Sequence, residues 1–113
     1  MRKSNGNWQH GFQNNRSEQA RDDLQSIVLF IAQDNPPAAE SFGYLLMSKV
    51  DVLAQFPQIG RVVPEENDEN IREIIFRSYR IIYQTMMNNQ IVAIARVWHG
   101  ARGEPEIPSQ LNF

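Results

Sequence analysis

Arginine is the residue type in this chain best suited to chemistry, and its distribution is uneven. All six basic residues after Lys49 are arginines, at positions 61, 72, 77, 80, 96 and 102. A guanidinium offers a planar fork that matches the paired oxygens of phosphate or carboxylate, so arginine in place of lysine fits bidentate oxyanion recognition. His99 follows Trp98 and precedes Gly100 and Arg102. Next to an arginine, a histidine can act as acid or base on a phosphodiester, or it can hydrogen-bond backbone and orient a turn. Tyr79 and Tyr83 can stack on bases or fill a core. The competing account of the arginines is a solvated sheet face with surface ion pairs to Glu73 or to the acidic stretch before it.

These residues must be placed by strands. Ile71–Phe76, Tyr79–Thr85 and Gln90–Trp98 are rich in Ile, Val, Tyr and Phe and read as three consecutive strands. Arg77-Ser78 makes one tight connection, and Asn88-Asn89 supplies a turn pair tolerant of positive φ. Strand parity puts Arg80 on one face with Ile82, opposite Tyr79, Ile81 and Tyr83; it puts Arg96 with Val92 and Ile94. Three strands cannot bury both faces, so earlier residues must cover one of them.

Two helices are available to do so. Ser17 or a neighbour caps the first, which runs to about Gln33 with Ala20, Leu24, Ile27, Val28 and Ile31 in one apolar stripe. Asp34-Asn35-Pro36-Pro37 stops it and starts the second, from Ala38 to about Phe56, with Asn35 as cap. Ala39, Phe42, Leu46, Val50 and Leu53 form its stripe, and Pro57 ends it. Leu24, Ile31, Phe42, Leu46 and Leu53 are expected in one core with Ile75 and Ile81. Leu29, Phe30, Tyr44 and Leu45 fall off the stripes, on the outer surface of the hairpin.

The fold class is α+β: a helical hairpin packed on a small antiparallel sheet. Residues 1–16 form a polar arm or a degenerate first strand around Trp8–Phe12, residues 17–102 form the domain, and residues 103–113 form a tail with two prolines. The loop Gln58–Asn70 carries an acidic cluster, Glu65 to Glu69, expected to be a solvated connection.

Composition excludes several classes. With 113 residues, 42% hydrophobic and 21% charged, the chain makes one domain with one modest core. It has no cysteine and only two histidines, which leaves no disulfide framework, no thiolate chemistry and no zinc set. No metal or other cofactor is expected. The apolar run Ile27–Ala32 is too short to span a bilayer, and the start lacks a secretory core, so a cytoplasmic location is expected. The formal net charge of −2 disfavours coating of nucleic acid, although a local basic face is compatible with it.

Four strings taken together resemble the RelE/ParE superfamily of type II toxin–antitoxin toxins, over Ala20 to about Arg102. They are Asp34-Asn35-Pro36 between two helices, Pro57-x-x-Gly60-Arg61, Tyr79-Arg80-Ile81-Ile82-Tyr83, and His99-Gly100-Ala101-Arg102. The resemblance implies two helices against a small antiparallel sheet and a cognate antitoxin whose tail folds over the toxin. The Asp-Asn-Pro hairpin and the His-Gly-Ala-Arg ending look closer to the ParE-like, plasmid-stabilisation branch, which poisons DNA gyrase by protein contact. The alternative is a RelE-like ribosome-dependent mRNA endonuclease. In that case Arg80 and Arg102 would stabilise phosphorane charge while His99 or Tyr83 handles protons. Arg72, Arg77 and Arg96 are the candidate target-binding residues, and Phe30, Tyr44 and Leu45 the candidate antitoxin-binding ones. Members usually begin with a hydrophobic strand, and the polar start here leaves a third reading, an attenuated toxin that serves as an antitoxin-binding module. A homodimer or a heterotetramer with antitoxin is compatible with each.

Overall fold

The structure, a computed structural model, describes residues 13–86, 88 and 90–107. In chain order the elements are β1 (Gln13–Arg16), α1 (Glu18–Asp34), α2 (Pro36–Gln55), β2 (Arg61–Val62), β3 (Ile71–Phe76), β4 (Tyr79–Met86), β5 (Ile91–His99) and a 3-10 turn over Gly100–Arg102. Among the described residues the sheet has five strands in the order β1-β5-β4-β3-β2. The β1–β5 pairing is parallel and the rest are antiparallel.

Both helices start at the expected caps. The Ser17 hydroxyl accepts from Ala20 N–H and the Asn35 side chain accepts from Ala38 N–H. Pro36 takes the first helical position, where its missing N–H costs nothing. The α2 stripe is buried throughout, while Leu24, Ile27, Val28 and Ile31 of α1 pack half-buried against the same core. Ile81, Tyr83, Val92, Ile94 and Val97 meet them from the sheet.

The opposite face is not bare. Val63, Ile82, Ala95 and Trp98 form a second buried cluster, flanked by Ile71 and by Ile107 of the tail. The sheet therefore separates a large core under the helices from a small one under the loop and tail.

The strand expected around Trp8–Phe12 lies outside the described residues, the first described strand being Gln13–Arg16. Three expectations need correction. The loop Gln58–Asn70 contributes a fifth strand, β2, on the far edge. Ile75 is 58% exposed, because Ile74 and Phe76, one position either side, take the helix-facing parity of β3. Arg96 does not share a face with Val92 and Ile94. The register skips from Tyr83↔Ile94 to Ile82↔Arg96, leaving Ala95 as an extra residue. That bulge reverses parity, so Val97 joins the helix-facing core and Arg96 points away from it.

Candidate functional site

The six arginines fall into three groups, and most are engaged by carboxylates or carbonyls. On the outer face Arg80 donates through Nε to Glu73 Oε1 and, through its two terminal nitrogens, to Glu65 Oε2 at 2.9 Å and Oε1 at 3.0 Å. Arg61 Nε donates to the other Glu73 oxygen at 2.6 Å. The Glu73 carboxylate is fully buried and the Arg80 side chain is only 13% exposed, so the network is stripped of most of its water. A buried carboxylate is tolerable only with such partners, because an uncompensated charge there is strongly destabilising. The hydrogen bond to Glu65, then that to Glu73, holds Arg80 above its ordinary basicity. Arg80 in turn holds the Glu65 carboxyl below the usual range. Glu65 of the acidic cluster is thus an ion-pair partner and departs from the solvated connection expected there.

The second group lies where β5 runs past the end of β1. Arg96 forms a two-pronged pair with Asp23 of α1, at 2.8 Å on each arm, and donates to Glu106 O at 2.9 Å. The same Asp23 accepts from Val97 N–H at 2.9 Å, and Ser17 donates to Ala95 O. Where β1 stops, side chains of α1 take over the edge of β5, satisfying backbone groups that a missing strand would leave open. Both Arg96 and Arg102 stack on Trp98, at 4.7 and 3.9 Å from the ring centre.

The third group frames the loop after α2. Arg72 donates to Gly60 O at 2.8 Å, and Gly60 N–H donates to the Tyr83 hydroxyl at 2.9 Å. Tyr83 is fully buried, and that burial raises its phenol above the ordinary value, so it stays protonated. The Pro57-x-x-Gly60-Arg61 string has a physical reason: a Cβ on residue 60 would lie 2.5 Å from Glu73 O and 2.6 Å from the Tyr83 hydroxyl. Arg77 sits in the β3–β4 turn with φ of 56°, exposed and over the Phe76 ring.

The four residues proposed for nuclease chemistry do not converge. Arg80 and Arg102 lie on the outer face. Tyr83 is sealed in the helix-side core with its hydroxyl on Gly60. His99 uses Nδ1 to accept from Ala101 N–H at 3.1 Å, and its ring meets Tyr79 edge to face at 5.0 Å. Tyr79 continues to Phe42, at 5.4 Å between centroids, so the histidine terminates an aromatic chain running out of the main core. Ion pairing to Glu73 and to the acidic stretch was the competing account of the arginines, and Glu73 and Glu65 fill it, though Glu73 is buried; sequence reasoning missed the pairing of Asp23 with Arg96. The one signal for it is that acidic residues lie in reach of strands crowded with arginine.

The hairpin presents Phe30 at 68%, Tyr44 at 77% and Leu45 at 42% exposure, with Leu29 also exposed. Among the described residues no group of His, Asp and Glu has the makings of a metal site, and no helix is long and apolar enough to cross a membrane.

Comparison with known proteins follows the same lines. Residues 15–103 match the family described as the ParE toxin of the type II toxin-antitoxin system, parDE. The chain is 29% identical over 84 residues to Toxin RelE1 of Caulobacter vibrioides, covering 74% of this chain and 88% of that protein. The chromosomal ParDE system from P. aeruginosa aligns with a TM-score of 0.66 at 16% identity, over 80% of this chain and 97% of that one. A mutant of E. coli toxin RelE in the free state aligns at 0.56 and 18% identity, over 82% and 87% respectively. The toxin–antitoxin complex RelBE2 from Mycobacterium tuberculosis aligns at 0.54 and 19%, over 79% and 98%. The structural likenesses speak to the fold, whereas the family match spans nearly all of both cores. The chain belongs to the ParE toxin family of type II toxin–antitoxin systems, within the RelE/ParE superfamily.

Proposed function

We propose that this toxin acts by protein contact on DNA gyrase and carries no hydrolytic site of its own. The observation that supports this most is the state of Arg80. Its three hydrogen-bonding nitrogens are taken by Glu73 and Glu65, so the arginine at the position of a nuclease cation is not presented to a scissile phosphate. Of the candidate proton carriers, Tyr83 has its hydroxyl buried on Gly60 and His99 has Nδ1 on Ala101 N–H, both on the other side of the sheet from Arg80. The net charge of −2 adds to this, since long-range attraction to ribosomal RNA is weak for an acidic protein.

The partner that silences the toxin is an antitoxin protein. Phe30, Tyr44 and Leu45, all exposed on the helical hairpin, are the apolar docking surface for a segment that folds on binding.

Expression without antitoxin should induce the DNA-damage response and trap cleaved DNA on gyrase, with ribosome-bound message left intact. The ribosome-directed reading has one observation in its favour, the shared outer face of Arg80 and Arg102. Codon-specific message cleavage in a purified translation system would establish that reading instead. Unaffected growth, with antitoxin binding retained, would leave the attenuated, antitoxin-binding role.

A further inference from the structure

One residue of α2 has no explanation within the fold. Gly43 lies in the interior of the helix Pro36–Gln55, where glycine is, after proline, the least favourable residue type. Its φ is not positive, so the backbone does not require it. A Cβ on residue 43 would meet nothing of α1 or of the sheet within 4 Å, so close packing does not require it either. Gly60 is the contrast, since a Cβ there would strike the sheet. Alanine would fit at position 43 and favour the helix.

The gap sits at the border of the exposed hairpin surface. Phe42, one residue before, is 2% exposed in the main core, and Tyr44, one residue after, is 77% exposed. Gly43 between them is half-buried. Ala39, Gly43 and Met47 fall on one i±4 ridge of α2, which the glycine interrupts. Buried Leu46 at i+3 and exposed Glu40 at i−3 flank the interruption.

We infer that Gly43 is a socket in the antitoxin-docking surface, open in the free toxin and filled in the complex by an apolar side chain of the antitoxin. This rests on the proposed docking of the antitoxin on the hairpin and names the residue that selects among antitoxins. Where two helices pack, a knob from one needs a hole in the other, and a side chain missing from a ridge supplies it. Ala39, Leu46 and Met47 make the surroundings apolar, which favours an apolar knob. A carboxylate entering there would lie beside Glu40 and be repelled. The hole also discriminates: a partner without a side chain at that point leaves it unfilled, and one with too large a side chain clashes.

The test is calorimetric titration of the full chain with the full-length antitoxin encoded beside it, paired with thermal unfolding of the free toxin. Gly43→Ala puts a single methyl group in the hole, and Gly43→Leu puts a full side chain there. Ser48→Ala favours the same helix, by removing a hydroxyl bonded to Tyr44 O, without entering the gap. For Gly43→Ala the two measurements should move in opposite senses. The unfolding midpoint should rise by about 4 °C, and antitoxin binding should weaken about tenfold. Gly43→Leu should weaken binding about a hundredfold while circular dichroism shows the fold retained. Ser48→Ala should raise the midpoint and leave affinity unchanged. A lower midpoint for Gly43→Ala would mean that the chain itself fills the space, which overturns the socket. Binding by Gly43→Ala as tight as the parent's, with Phe30→Asp weak, would overturn the socket and leave the hairpin as the docking site. Tight binding by Phe30→Asp, Tyr44→Asp and Gly43→Ala alike would overturn both.

Discussion

Gly60 is constrained by atoms that cannot move away. One of them is a backbone oxygen of β3, so Gly60→Ala forces the loop off the sheet rather than rotating a side chain. A loss of about 3 kcal/mol is expected in urea denaturation. Tyr83→Phe removes the acceptor for Gly60 N–H without changing shape and should cost about 1–3 kcal/mol, the price of orphaning a buried donor. A neutral result for Tyr83→Phe would mean that water replaces the hydroxyl. Glu65 yields a prediction in pH. Its carboxyl is held below the ordinary value by Arg80, so its stabilisation is present above about pH 4.3 and is lost as pH falls through the lowered value. Glu65→Gln should therefore be less stable than the parent near neutrality, and the gap should close on acidification; a gap independent of pH would exclude the ion pair as its source. At this scale the sequence revealed the cations and, in Glu73 and the acidic stretch, some of their partners, but neither the burial of Glu73 nor the distant Asp23. Six arginines on or beside the strands announce oxyanion recognition, but whether the oxyanion is internal depends on contacts such as Asp23 to Arg96, separated by 73 positions.

Among the elements, the helices were legible and the sheet edges were not. Apolar stripes, Ser17, Asn35 and Pro36 mark α1 and α2 because their signals are local. Gln13–Arg16 has no β-forming side chain; it is a strand because β5 offers a row of backbone partners. The bulge at Ala95 was hidden for a different reason. In Ile91–Trp98 every residue but Arg96 is apolar, so no alternation exists for an extra residue to interrupt. Two substitutions examine this layer. Leu46→Ala, in the middle of the buried α2 stripe, should cost about 2–5 kcal/mol by cavity formation, and a smaller loss would indicate that the core collapses around it. Asp23→Ala strips the Arg96 guanidinium and Val97 N–H of their shared acceptor and should cost about 3–5 kcal/mol, with faster amide exchange at Val97. Exchange unchanged at that amide would show that β5 does not rely on α1 for its edge.

For the molecule as a whole, the exposed apolar groups on the hairpin lie outside the two buried clusters that pack against the faces of the sheet. Phe30→Asp and Tyr44→Asp should leave the fold intact, since both side chains are largely in solvent, and should weaken antitoxin binding far more than Arg96→Ala does. Titration calorimetry with the antitoxin decides it: tight binding by both folded aspartate variants would move the docking surface elsewhere. Arg96 serves here as the contrast because its charge is already spent on Asp23.

The parallel pairing of β1 with β5 ties Gln13 to Ile91 and Arg16 to Ile94, and Ser17 reaches across to Ala95. Closing a loop of that length costs about 4 kcal/mol in chain entropy, so this seam forms late. On the ribosome the delay is physical. The first strand has nothing to pair with until the last has left the exit tunnel, long after both helices have emerged. A newly made toxin therefore passes through an interval in which its helical hairpin is exposed and its sheet unfinished. An antitoxin that recognises the hairpin can meet its toxin during that interval, before the toxin is capable of harm.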